Sequence, residues 1–180
     1  MKVVIAMRKP LLGLHKACLM IFMLLPLSAL GHSGSCPTPG EFRPVVPYEL
    51  PDEINERIAG TSAVKVVSFW ALWCRPCLRE LPLLDQLANH ARFDIDAIHI
   101  GDEEQKIRAM FDRLKISRLS TAHFSDFEPV RALGFVGIPS TLVAVNRKVR
   151  YQTMGYISTS EEMLEQWLVC LEKEQRNETD

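Results

Sequence analysis

The sequence predicts an α/β domain with a central mixed β-sheet flanked by helices on both faces. Three observations carry this expectation. From Val64 onward, runs rich in β-branched and aromatic residues alternate with amphipathic helical runs. Two strand-like runs, 140–145 and 148–154, then adjoin across a two-residue turn, the mark of a hairpin. The chain closes on one apolar stripe at helical spacing. Strand–helix–strand–helix followed by hairpin and helix needs a sheet with parallel and antiparallel neighbours and helices on each side.

The elements follow in order. Residues 1–16 hold Lys2, Arg8, Lys9 and Lys16 and no acid; residues 17–30, ACLMIFMLLPLSAL, carry no charge; Ala29-Leu30-Gly31 then puts small residues at alternate positions. That is the order of a secretory signal, so residues 1–31 are read as a signal peptide cleaved near Gly31, with an uncleaved anchor as the alternative. Residues 32–59 are read as a tether and short N-terminal extension. Pro37, Pro39, Pro44 and Pro47 with Gly34 and Gly40 argue for an extended tether over 32–48, and 51–59 for a short helix started by Pro51.

The folded domain is placed at 60–175 and a tail at 176–180. VKVVSFW (64–70) reads as a buried strand. Residues 76–91 read as a helix with Leu78, Leu81, Leu84, Leu87 and Ala88 on one face and a kink at Pro82. FDIDAIHI (93–100) is the next strand and 103–115 the next helix, with Ile107, Met110, Phe111 and Leu114 at helical spacing. A short edge segment at 121–126 and a short helix at 128–133 lead to the hairpin, turned at Asn146-Arg147. The last helix is placed at about 160–174, capped by Ser158 with Glu161, its stripe formed by Met163, Leu164, Trp167, Leu168 and Leu171.

Of 180 residues, 47% are hydrophobic and 24% charged, and the formal net charge is −1, which offers no footing for a nucleic-acid partner. Cleavage after Gly31 removes four of the 21 basic residues and no acid, leaving 17 against 22 and a mildly acidic domain of charge −5. Cys18 would leave with the signal. Cys36, Cys74, Cys77 and Cys170 would then face an oxidising compartment. Zinc binding through Cys74 and Cys77 lacks a second close pair. Cys170 lies in the apolar stripe and reads as a buried free thiol; a bridge to Cys36 is arithmetically open, since connectivity is not written in spacing. Lipid attachment at Cys36 is a further alternative, although Ser33 stands where a leucine-like residue is wanted.

The chemistry concentrates in Trp73-Cys74-Arg75-Pro76-Cys77, at the junction of strand and helix. A cysteine at a helix entrance meets N–H groups without intrahelical partners and the positive end of the dipole. Both favour thiolate, and thiols so placed have pKa values of roughly 3.5–7.5 against about 8.5 for a free cysteine. Cys74 is the expected nucleophile, partly exposed. Cys77, one turn on and more buried, is expected to resolve the mixed disulfide. A purely structural bridge of this span would add little loop-closure entropy. Trp73, Arg75 and Pro76 beside the pair are expected to shape the docking surface. Sixty residues on, Gly137-Ile138-Pro139-Ser140-Thr141 opens a strand, where proline marks an edge or a turn.

FWALWCRPCLRELP followed by GIPST resembles the thioredoxin-like fold, and within it the exported TlpA/ResA-type thiol–disulfide oxidoreductases, over about residues 60–172. The resemblance implies a cis Pro139 against the dithiol and an Ile138 backbone offered to an extended substrate strand. It implies a role for Glu80 in the PCxxExP pattern. Thioredoxins proper carry a buried acid immediately before the Phe-Trp of the motif, where this chain has Ser68; Glu80 could take the Cys77 proton in its place, directly or through water. An exposed helix carboxylate pairing with Arg79 is the plain alternative for Glu80.

The expectation is an exported disulfide reductase of the periplasm or cell envelope, with no cofactor beyond the redox-active Cys74–Cys77 disulfide and no metal. Its client would be a protein with a disulfide or cysteine pair, such as apocytochrome c or a copper-site protein. A membrane thiol donor would re-reduce it, and a membrane tether is the alternative to a soluble form. The rival readings are an oxidase or isomerase on the same fold, or a copper-binding thiol module. His99 reads as structural.

Overall fold

A computed structural model describes residues 36–179 apart from 59 and 102. The expected signal segment, its cleavage and Cys18 lie outside the described residues. The elements are β1 (Arg43–Glu49), α1 (Asp52–Asn55), β2 (Val64–Trp70), α2 (Arg75–Leu87), β3 (Phe93–Ile100) and α3 (Glu104–Leu114). They continue with β4 (His123–Phe124), α4 (Glu128–Ala132), β5 (Ser140–Val145), β6 (Lys148–Met154) and α5 (Glu161–Thr179).

One six-stranded sheet runs in the order β1-β6-β5-β2-β3-β4. β2, β3 and β4 are parallel neighbours, while β5 lies antiparallel to β2 and β6 antiparallel to β5. Every residue of the central β2 is buried, Lys65 and Ser68 among them, as a mostly apolar strand covered on both faces requires. Successive side chains turn to opposite faces. Val64, Val66 and Trp70 pack with α2, α3 and α5, through residues such as Leu84, Phe111 and Trp167. Val67 and Phe69 pack with α1 and α4, through Ile54 and Val130. Two cores therefore lie on either side of the sheet, and each fully buried Leu or Phe adds about 1.5–3 kcal/mol. The β5–β6 hairpin turns at Asn146 and Arg147 with φ of 49° and 65°, the paired positive values of a type I′ turn.

Several expectations change. Residues 43–49, read as tether, form an edge strand antiparallel to β6, with an irregularity between Pro44 and Tyr48. Proline is excluded from central strands but tolerated at an edge and at a bulge, so Pro44 and Pro47 do not stop this pairing. The first helix shrinks to Asp52–Asn55 and α2 ends at Leu87, but α2 runs on through Pro82 for five more residues. The cap of α5 is Ser160, whose Oγ accepts from the Met163 N–H at 3.3 Å, and not Ser158. Cys170 is no free thiol: it is bonded to Cys36.

Glycine is required at Gly60. Its φ is +83°, and a Cβ there would lie 2.0 Å from Asp94 Oδ1, the carboxylate that accepts the Ser62 N–H and pairs with Lys65 at 2.5 Å.

Candidate active site

The C-terminal end of β2 delivers the chain into α2 through Ala71–Cys74. Cys74 is the N-cap of α2, with extended φ and ψ of −85° and 94°, and Pro76 stands in the first turn where its missing N–H costs nothing. The Cys77 N–H points at Cys74 Sγ, 3.3 Å away. A cap normally offers an oxygen to this N–H; here a sulfur takes that place. The two cysteines are joined as a disulfide, Cα–Cα 5.2 Å. Cys74 was expected to be partly exposed. In this oxidised state it is 4% exposed against 1% for Cys77, because the bridge turns both sulfurs into the first turn of the helix. Trp73, directly before Cys74, is 76% exposed, and Val136, three residues before Pro139, is 80% exposed. Arg75 is exposed, Pro76 and Ile138 are half-buried.

Pro139 follows a cis Ile138–Pro139 bond, as the family resemblance implies. It precedes Ser140, the partner of Phe69 in the β2–β5 ladder. The sheet thus puts Pro139 at the end from which the Cys74 turn departs. The Pro139 carbonyl accepts the Gly155 N–H at 2.8 Å, and Ser140 Oγ donates to the Gly137 carbonyl at 2.6 Å, so the loop is held on both sides.

Glu80 lies inside the protein, 1% exposed, one turn past Cys77 on the inward face of α2. The alternative of an exposed helix carboxylate is therefore excluded. Ser68 Oγ donates to Glu80 Oε1 at 3.0 Å, and the Ile157 N–H donates to Oε2 at 2.9 Å. Helix and strand bring the carboxylate of residue 80 against the very position that Ser68 leaves without an acid. Burial pushes the Glu80 pKa above the usual carboxylate value; the bonds from Ile157 and Ser68 oppose this, and the negative charge of Glu41 adds to the rise. Thr141, opposite Ser68 in the ladder, also faces the carboxylate, its hydroxyl short of hydrogen-bond geometry.

Two contributions were not foreseen. The Ile157 N–H is a backbone group, which has no signature in a pattern of side chains. His99, read as structural, fixes the approach to the dithiol: its Nε2 accepts the Leu72 N–H at 3.1 Å, and its Nδ1 meets the Gly101 carbonyl at 3.0 Å. A carbonyl at Nδ1 demands the proton there and leaves Nε2 the acceptor. Burial holds the His99 pKa below its ordinary value. Arg79 stands over the Tyr156 ring, 5.2 Å from its centre.

No family model matches this chain. Among curated proteins, a thioredoxin of Staphylococcus haemolyticus is 38% identical over 76 residues, which span 41% of this chain and 71% of that protein. A thioredoxin of Staphylococcus aureus is 34% identical over the same length. Among solved structures, a putative thiol:disulfide interchange protein DsbE from Chlorobium tepidum aligns with a TM-score of 0.53 and 21% identity, covering 74% of this chain and 99% of that one. StoA from Bacillus subtilis aligns at 0.50 and 16% identity, over 60% and 84% of the two chains. These structures share the fold. With the relatives matched over more than two thirds of their length and the Cys74–Cys77 pair at the head of α2, the chain belongs to the thioredoxin family and is a thiol–disulfide oxidoreductase.

Proposed function

We propose that this chain is an exported disulfide reductase of the TlpA/ResA type. In its reduced form, Cys74 thiolate attacks one sulfur of a client disulfide. The client S–S bond breaks, a mixed disulfide forms, and the departing client sulfur takes up a proton. Cys77 passes its proton to Glu80 and attacks Cys74 Sγ, breaking the mixed disulfide; the second client sulfur leaves as a thiolate and takes up a proton from solvent, to which Glu80 returns its own. Two electrons have moved from dithiol to client, and the enzyme is left with the Cys74–Cys77 disulfide. A thiol donor at the membrane would then reduce it again.

The observation that carries this reading is the Cys77 N–H aimed at Cys74 Sγ at the head of α2. The same N–H and the helix dipole would stabilise a thiolate there. Supporting the division of labour, Cys77 is the deeper sulfur and Glu80 lies one turn beyond it, held by Ser68 and Ile157. Supporting a docked client strand, Ile138 stands at the cis proline two residues after exposed Val136, and exposed Trp73 directly precedes Cys74, so Ile138, Trp73, Arg75 and Pro76 form the proposed docking surface. Supporting export, the second disulfide, Cys36–Cys170, is of a kind that persists in oxidising compartments. Among the described residues no helix is long and apolar enough to cross a membrane.

The test is capture of clients in the intact cell with Cys77→Ala, which should hold a mixed disulfide through Cys74, together with equilibration of the wild-type pair against glutathione. Capture of cysteine-pair proteins such as apocytochrome c or a copper-site protein, with a reducing potential, is the expected result. A potential at the strongly oxidising end would make the chain an oxidase and overturn the reductase reading. No trapped client, with Cu(I) affinity lost in Cys77→Ala, would instead indicate a copper-binding thiol module.

A further inference from the structure

The N-terminal segment is joined to the active-site acid by a continuous set of contacts. Cys36 is bonded to Cys170 of α5, and its N–H donates to Glu174 Oε1 at 3.0 Å. The segment then crosses α5, where buried Phe42 packs on Trp167 with ring centres 4.8 Å apart. Between these anchors Glu41 turns its carboxylate to the start of α5. One oxygen, Oε1, accepts both the Ser158 N–H at 3.0 Å and the Thr159 N–H at 2.8 Å. The residue immediately before this pair, Ile157, donates its N–H to Glu80 Oε2. Three consecutive amides are thus fixed by two carboxylates, Glu41 from outside and Glu80 from within.

We propose that Glu41 is a positioning residue for Glu80, and that the Cys36–Cys170 bridge holds it in place. This rests on the role assigned to Glu80 above. The segment acts in two ways. It clamps the 157–159 turn, which keeps the Ile157 N–H on the Glu80 carboxylate. It also places a second negative charge within electrostatic reach of Glu80, which disfavours the ionised form of the buried acid and keeps its proton bound to higher pH. The groups that act on Glu80 are Ser68 from β2, Thr141 from β5, the Ile157 amide from the loop before α5 and, through its charge, Glu41 from the N-terminal segment. Glu41 itself faces the Ser158 and Thr159 amides, whose bonds outweigh its partial burial and hold it ionised. It is the charged member of this set besides Glu80, so its removal has a defined sign.

The experiment compares wild type, Glu41→Gln, Glu41→Ala, the bridgeless Cys36→Ser/Cys170→Ser protein and Glu80→Gln, each with the Cys74–Cys77 pair reduced. Glu80 is followed by the carboxyl 13C signal, the turn by exchange of the Ile157 amide, and the dithiol by the pH profile of its alkylation. Glu41→Gln keeps an acceptor oxygen and removes the charge, so the Glu80 midpoint should fall. Glu41→Ala and the bridgeless protein lose the clamp as well, and Ile157 exchange should quicken about tenfold. An unchanged Glu80 midpoint in Glu41→Gln with Ile157 still protected overturns the coupling. A bridgeless protein that keeps wild-type exchange and midpoint overturns the part given to the disulfide. A thiol profile left unmoved by Glu80→Gln overturns the role of Glu80 itself, a failure that the carboxyl titration distinguishes from failure of the coupling.

Discussion

Replacing both Cys36 and Cys170 by serine should cost this protein a large part of its stability. The bridge spans 134 residues and encloses nearly the whole described chain. In the chain-entropy treatment, opening a loop of that length returns about 5 kcal/mol of conformational freedom to the unfolded state. Domains of this class are stable by about 5–15 kcal/mol, so the loss is a third of the whole or more. Among the described residues the bridge and the Glu174 contact anchor the Cys36 end of the N-terminal segment, so that end should also loosen in the variant. Urea unfolding followed by tryptophan fluorescence measures the outcome. With a slope of about 1–3 kcal/mol per molar urea, the midpoint should drop by roughly 2–5 M. Adding dithiothreitol to the variant should move it much less, since the remaining Cys74–Cys77 pair closes a loop of sequence separation 3. A midpoint within about 0.5 M of wild type would refute the reasoning, and would mean that the unfolded chain is confined by something other than this bond.

Three further outcomes follow from buried groups. Glu80 has its pKa raised by burial, so its contribution favours the folded state at low pH and is lost as pH rises from the ordinary carboxylate value through the raised one; Glu80→Gln should flatten that slope in pH-dependent urea unfolding. His99 has its pKa lowered by burial, so stability should fall as pH drops below about 6.5, because a protonated Nε2 opposes the Leu72 N–H. His99→Gln should lose that acid limb, which the same titration reads. Leu84 is completely buried between α2 and the sheet, so Leu84→Ala should cost about 2–5 kcal/mol by thermal or urea unfolding, with the active-site turn unaltered.

The elements that build the site were legible because each has a local cause. VKVVSFW is a strand by residue type and is buried along its whole length. The Leu81, Leu84 and Leu87 stripe is helical by spacing and faces the core. Asn146-Arg147 turns the hairpin as its neighbours predicted. Composition misled at 43–49, where the prolines suggested a tether. Edge pairing depends on the strand beside it, and the β6 edge that recruits this segment lies about a hundred residues away in the chain. Ser158 misled for a similar reason: its N–H is taken by Glu41, a residue 117 positions earlier, and the cap falls to Ser160.

From the residues alone, then, came the layered sheet and the dithiol at a strand-to-helix junction. These depend on short-range periodicity and on the fixed geometry of a helix terminus, which neighbouring residues express without help. Tertiary structure decided that Cys36 meets Cys170, that Glu80 points inward to Ser68 and the Ile157 amide, and that His99 grips the turn before Cys74. Each of these joins groups distant in the chain, whose approach depends on how the sheet orders its strands and which face each helix covers.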